Sequence, residues 1–152
     1  MGAAYFYHLT RRPLDAVLPM LLGKSLEAGW RVYVRGTQSD QLAFLDEKLW
    51  LGSEEGFLPH GIENGDHDAD QPILLGTSEK PANGANCLMS VSGAAVSPED
   101  VTGMERVCVI FDGNDDQALH HARSQWKSLV DAGCSAQYWS EESGQWEKKA
   151  ER

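Results

Sequence analysis

The sequence predicts an α/β fold in three layers, a mostly parallel sheet with helices on both faces. Three observations carry that expectation. Strand-like and helix-like patterns alternate from the start of the chain, as in the opening of a parallel sheet. The run Arg106–Phe111, RVCVIF, is apolar without alternation, as a central strand covered on both faces should be. The length of 152 residues, with 41% hydrophobic and 24% charged, suits one domain, 1–152, with a real core.

Tyr5–Leu9 is aromatic and apolar and reads as the first strand, broken by Arg11-Arg12-Pro13. Leu14–Ala28 reads as a helix, with Leu14, Val17, Leu18, Leu21, Leu22 and Leu26 forming a broad apolar stripe. Pro19 either marks the true first turn or kinks a longer helix; Gly29 is placed to end it. Arg31–Arg35 alternates charged and apolar residues as a short strand does. Thr37 and Asp40 then read as a capping box opening a second helix, in which Leu42, Leu45 and Leu49 share a face. That helix ends near Trp50, where Gly52 turns the chain toward Phe57-Leu58-Pro59-His60.

Ile62–Asp70, IENGDHDAD, reads as an exposed acidic loop. Ile73–Gly76 and Cys87–Val91 are short apolar strands around a Gly/Pro/Asn loop. Ser97 caps a brief helical turn with Pro98 at its first position. After the central strand, acidic residues from Asp112 suit a helix start. The helix spans Asp115–Ala132, with Leu119, Ala122, Trp126, Leu129 and Val130 at helical spacing and Gly133 beyond its end. Ala136–Trp139 is a late strand, and Gln145–Lys148 a short returning one after the Ser143-Gly144 turn.

Several chemistries are excluded or demoted. The net charge of −10 argues against a general DNA-binding surface, which needs clustered Lys and Arg. No apolar run approaches the length of a membrane span, and MGAAYFYHLT lacks the pattern of a signal peptide. A cytoplasmic protein without membrane attachment is expected. The three cysteines, Cys87, Cys108 and Cys134, are far apart with apolar neighbours and read as buried free thiols. Gly23-Lys24-Ser25 tempts toward a phosphate loop, but Leu18 stands where the motif needs its first glycine, and the tripeptide lies within a helix. The fold is thus expected to be Rossmann-like without a phosphate loop. His60, His67 and the neighbouring Asp66, Asp68 and Asp70 have no metal-ligand spacing, so a solvated turn is expected. Asp112, Asp115 and Asp116 follow a buried strand, where α/β proteins place ligands, yet helix capping explains each of them. No catalytic, cofactor-binding or metal-binding residue is named.

Arg123, Trp126 and Lys127 share one helical face. Two cations beside an indole suit a carboxylate next to an aromatic ring, as at the end of an acidic peptide. The alternative is that Trp126 packs on the sheet beneath solvated cations.

An ordered set of segments carries a family resemblance. Tyr5-Phe6-Tyr7, Gly29-Trp30-Arg31-Val32, Leu45-Asp46-Glu47-Lys48-Leu49-Trp50, Phe57-Leu58-Pro59-His60 and Ala122-Arg123-Ser124-Gln125-Trp126-Lys127 together resemble the chi subunit of bacterial DNA polymerase III, a clamp-loader accessory protein. The resemblance covers nearly the whole chain. It implies a non-catalytic replication adaptor that links the clamp loader, and so the polymerase, to the acidic C-terminal tail of single-stranded-DNA-binding protein. Positions implicated in tail binding in that family match Trp50, Arg123 and Trp126, with Lys127 beside them. Trp50 and Trp126 would hold the terminal Phe, and Arg123 and Lys127 the carboxylates. Some relatives carry a further Lys one turn before the Arg; Leu119 stands there in this chain. Phe57, with Pro59 and His60, matches a segment implicated in contact with a psi-like subunit or a helicase. The competing expectation is a small nucleotide- or phosphate-ester-handling enzyme working near Asp112–Asp116.

Overall fold

A computed structural model describes residues 2–51, 59–141 and 146–152. Eight strands form one sheet: β1 (Ala3–Leu9), β2 (Val32–Arg35), β3 (His60–Ile62), β4 (Ile73–Gly76), β5 (Cys87–Ser90), β6 (Arg106–Asp112), β7 (Ser135–Ser140) and β8 (Glu147–Glu151). Their order is β3-β4-β2-β5-β6-β1-β7-β8. Every pairing is parallel except that of β7 with β8. The helices are α1 (Leu14–Glu27), α2 (Ser39–Trp50), α3 (Pro98–Gly103) and α4 (Asp116–Asp131). The expected three-layer α/β arrangement is the one observed.

Side chains alternate between the two faces of the sheet and build two cores. On one face Val32, Val34, Ile73, Leu75, Met89 and Ile110 pack with Val17, Leu18 and Leu22 of α1 and Leu42, Leu45 and Leu49 of α2. On the other, Phe6, Tyr33, Leu74, Leu88, Val107 and Val109 pack with Val101 of α3 and Ala122 and Leu129 of α4. The Arg106–Phe111 run lacks alternation because it feeds both cores.

Three expectations need correction. The Thr37–Asp40 capping box does not form. Gln38 precedes α2 without a side-chain cap, and the Thr37 hydroxyl donates to the Ser92 carbonyl instead, 3.2 Å away. The stretch from Ile62 is not all loop: His60–Ile62 pairs in parallel with β4, and the Glu63 amide continues the ladder to the Leu75 carbonyl at 2.8 Å. A three-residue strand containing glycine carries no legible alternation; the open edge of β4 creates it. Cys134 is half-buried, whereas Cys87 and Cys108 are buried; all three are free. Pro19 lies inside α1, which runs on through it. Ser97 and Asp100 do form a reciprocal capping box at α3.

A buried ion pair ties the carboxyl ends of the strands together. Arg35, at the end of β2, meets Asp100 at 2.9 Å. Its remaining donors reach the carbonyls of Ser78, Glu79 and Ala95. Behind β2, the Tyr33 hydroxyl donates to Glu63 at 2.8 Å. Burial, and then that hydrogen bond, push its pKa up to about 12.

Candidate functional site: two surfaces and a crevice

The first surface lies on α4. Asp115 caps the helix through its Oδ1, which accepts from the amides of Gln117 at 2.9 Å and Ala118 at 3.3 Å. Ala122, Gln125 and Leu129 face the sheet. Trp126 is half-buried. Its indole meets Phe6 edge-on at 5.3 Å and Tyr138 at 6.0 Å, so it does pack on the sheet. Arg123 and Lys127 are exposed one turn apart on the same helix, three residues before and one after Trp126. No ion pair engages either cation among the described residues. Gln125, between them in sequence, donates to the Val96 carbonyl at 2.8 Å, while its buried Oε1 has no partner. Its buried amide was not legible as special in the sequence, since glutamine on a helix reads as solvent-facing.

The second surface is centred on Trp50, the last residue of α2, which is 58% exposed. Its ring lies 4.5 Å from that of His60, tilted by 45°. The His60 side chain is buried, with Nε2 3.1 Å from Asp46 Oδ1. Asp46, one helical turn before Trp50, thus holds the imidazole on which the indole rests. Leu51 (72% exposed), next to Trp50, and Ile62 (41%), on the edge strand β3, are further exposed apolar side chains, while Phe44 (49%) lies in the middle of α2 with Lys48 Nζ over its ring at 5.3 Å. Pro59 is half-buried at its border; Phe57 lies outside the described residues.

The structure does not bring Trp50 and Trp126 into one cradle. α2 packs in one core and α4 in the other, so the two indoles belong to opposite faces of the sheet. Trp50 sits beside β3 and Trp126 over β1 and β7, strands well separated in the sheet order. Arg123, Trp126 and Lys127 come together; Trp50 joins His60 instead.

A crevice of about 800 Å³ opens at the carboxyl ends of β1 and β6. These strands are neighbours, yet the loop after β1 leads to α1 on one face and that after β6 to α4 on the other. Divergence of that kind makes the topological switch point of an open α/β sheet. Its walls are braced: the Gly113 amide donates to the Leu9 carbonyl at 2.7 Å and Asn114 Nδ2 to the Thr10 carbonyl at 3.2 Å. Glu141 accepts from the amides of Arg11 and Arg12 and from Arg12 Nε. Burial alone would raise the Glu141 pKa, but those donors together hold it below the usual carboxylate range. A Cβ at position 113 would collide with the His8 imidazole, so glycine is required there. Asp115 caps α4, as expected, whereas Asp112 accepts from the Asn114 amide at 2.9 Å in the turn before the helix rather than capping it. Among the described residues no group of three or more His, Cys, Asp or Glu is placed to hold a metal ion, and no helix is long and apolar enough to cross a membrane. Lys24 and Ser25 sit within α1, with Ser25 donating to the Leu21 carbonyl, so no phosphate loop exists there. Asp68 accepts from the amides of Asn64 and Gly65, which makes the acidic stretch a turn.

Comparison with known proteins fits these features. The chain is 32% identical over 72 residues to a protein named DNA polymerase III subunit chi from Pseudomonas aeruginosa, covering 47% of this chain and 49% of that one. It is 23% identical over 111 residues to a probable DNA polymerase III subunit chi from Rickettsia prowazekii, covering 70% of this chain and 67% of that one. The match thus spans about half of the first relative and about two thirds of the second. The family description "DNA polymerase III chi subunit, HolC" matches residues 1–137, so strands β1 to β6 and α1 to α4 all fall inside it, and the chain belongs to the DNA polymerase III chi subunit family.

Proposed function

We propose that this chain is a non-catalytic adaptor in DNA replication, linking the polymerase III clamp loader to the acidic C-terminal tail of single-stranded-DNA-binding protein. One observation carries the tail-binding half. Arg123 and Lys127 are exposed on the helix that carries Trp126, a half-buried indole that Phe6 and Tyr138 hold in place. Two cations without an ion pair among the described residues, in a chain of net charge −10, form a local exception on an acidic surface. A peptide ending in acidic residues and an aromatic carries the matching chemistry: carboxylates for the guanidinium and ammonium, a ring for the indole edge. The overall acidity also favours a protein partner over nucleic acid.

The clamp-loader half is assigned to the other face. Trp50, supported by the buried His60 and bordered by Pro59, with Leu51 and Ile62 exposed nearby, offers apolar surface of the kind that protein partners cover. The contact of Trp50 with His60 supports placing it with this set, which the family resemblance connects with a psi-like subunit or a helicase. Phe57 is kept in the same proposal by its place in the sequence.

Titration with a peptide copying the tail of the host's own single-stranded-DNA-binding protein tests the first half. Micromolar-range binding that disappears when the terminal Phe is removed supports it. A folded protein that binds neither peptide sinks it. Clamp-loader capture by wild type but not by Trp50→Ala supports the second half, and equal capture by both overturns it.

A further inference from the structure

We propose that Asp46 is a positioning residue for partner binding: acting through His60, it fixes the direction in which the Trp50 indole is displayed. That role rests on the reading of the Trp50 surface as a partner contact, and Asp46 serves it from behind.

Asp46 and Trp50 stand four residues apart on one side of α2. Both meet His60, the first residue of β3. His60 Nε2 lies 3.1 Å from Asp46 Oδ1 and 3.3 Å from the Asp46 carbonyl oxygen. Both partners are acceptors, so Nε2 carries the proton and donates to Asp46. The last torsion of a histidine has a broad minimum; a donor held by two oxygens of one residue narrows it to one setting. The imidazole is fully shielded from solvent, and its ring centre lies 4.5 Å from that of Trp50.

Core packing does not account for the indole. Leu42, Leu45 and Leu49 already form the buried face of α2, while Trp50 is more than half exposed. An exposed aromatic at the last residue of a helix has rotamers to choose among, and a partner must select one on contact. A fixed imidazole against the ring makes that selection beforehand, which removes the cost of ordering the side chain on binding. The segments Leu45-Asp46-Glu47-Lys48-Leu49-Trp50 and Pro59-His60 thus work as one device. The acid of the first orients the imidazole of the second, and the imidazole orients the indole of the first.

The test compares full-length wild type with Asp46→Ala, Asp46→Asn, Trp50→Ala and the Asp46→Ala/Trp50→Ala double variant. Affinity for the host's clamp loader and the indole N–H NMR signals are read. Alanine suits a helix interior, and the longer bond from Nε2 to the carbonyl of residue 46 remains, so the fold is kept. Asp46→Ala should weaken clamp-loader binding by about three- to tenfold, the worth of ordering one side chain in advance. Asp46→Asn, which keeps an acceptor oxygen, should bind within about twofold of wild type. In the double variant, Asp46→Ala should add nothing to the loss caused by Trp50→Ala, because it acts only through the indole. The Trp50 signal, assigned by its absence in Trp50→Ala, should shift in Asp46→Ala while the other indole signals stay in place; a general loosening would move them all. An unmoved Trp50 signal overturns the proposal. So does wild-type binding by Asp46→Ala where Trp50→Ala binds more weakly, or a further loss in the double variant. Equal binding by wild type and Trp50→Ala sinks the surface reading instead, and the indole signal then decides alone whether Asp46 positions Trp50.

Discussion

Trp126 and Trp50 each end up at a proposed contact surface, but they are held by opposite means. Trp126 is keyed into the sheet by Phe6 and Tyr138 and offers only its rim. Trp50 is more than half exposed, with its ring against the His60 imidazole. The first is a piece of core that reaches the surface; the second is a surface group given a support. An aromatic of the first kind couples recognition to folding, and one of the second kind does not.

The largest expected effect separates them by stability. Trp126→Ala should cost about 3 kcal/mol in chemical denaturation, as loss of a large packed aromatic does, whereas Trp50→Ala should cost less than about 1 kcal/mol. Equal costs would erase the distinction. Next in size is tail affinity. Arg123→Ala should weaken the peptide by roughly tenfold, the worth of a charge-assisted hydrogen bond. Its melting temperature should stay that of wild type, and Trp50→Ala should leave the peptide's affinity unchanged. An effect of Trp50→Ala on tail binding would restore the single-cradle arrangement that the fold argues against. A smaller effect is expected from salt: between about 50 and 300 mM, tail affinity should fall while capture through the Trp50 surface changes little, because only the former rests on exposed charge.

The smallest effect concerns the Glu141 brace on the Arg11–Arg12 loop, apart from both regions. The folded Glu141 pKa is depressed, so its contribution to stability is present above the ordinary glutamate pKa and lost as pH falls through the folded value. Wild type should therefore melt a few degrees above Glu141→Gln near neutral pH. The two should converge below about pH 4. A gap that persists in acid would mean that packing, not charge, holds the Arg11–Arg12 loop.

Much of the fold was legible because local signals agreed. Ile73–Gly76 was read with the bounds it has, and the β6 run and the Asp115-capped helix needed at most a residue's adjustment. The two failures are of another kind. β3 exists because a neighbouring strand offers an edge, which no property of His-Gly-Ile announces. The site was read from helix faces, and periodicity tells which side of a helix is apolar without telling which side of the sheet it covers. Arg123, Trp126 and Lys127 came out as a unit because one helix carries them. The distance of Trp50 from α4 was not legible because it depends on strand order, a property of the whole chain. Gln125 was missed because its burial depends on Val96, far away in sequence.

The two borders of the sheet are also unlike. β8 reads Glu-Lys-Lys-Ala-Glu, with Lys148 paired to Glu151 and Lys149 to Glu147 at 3.3 Å each. A row of alternating fixed charges is a poor template for a further strand, since an incoming chain would have to strip water from every one. At the opposite border, β3 is only three residues long, with Ile62 exposed upon it and, among the described residues, no comparable row of charges. Unwanted self-association through strand addition should therefore begin at the β3 border, and a charged residue in place of Ile62 should raise the concentration at which the protein stays dispersed.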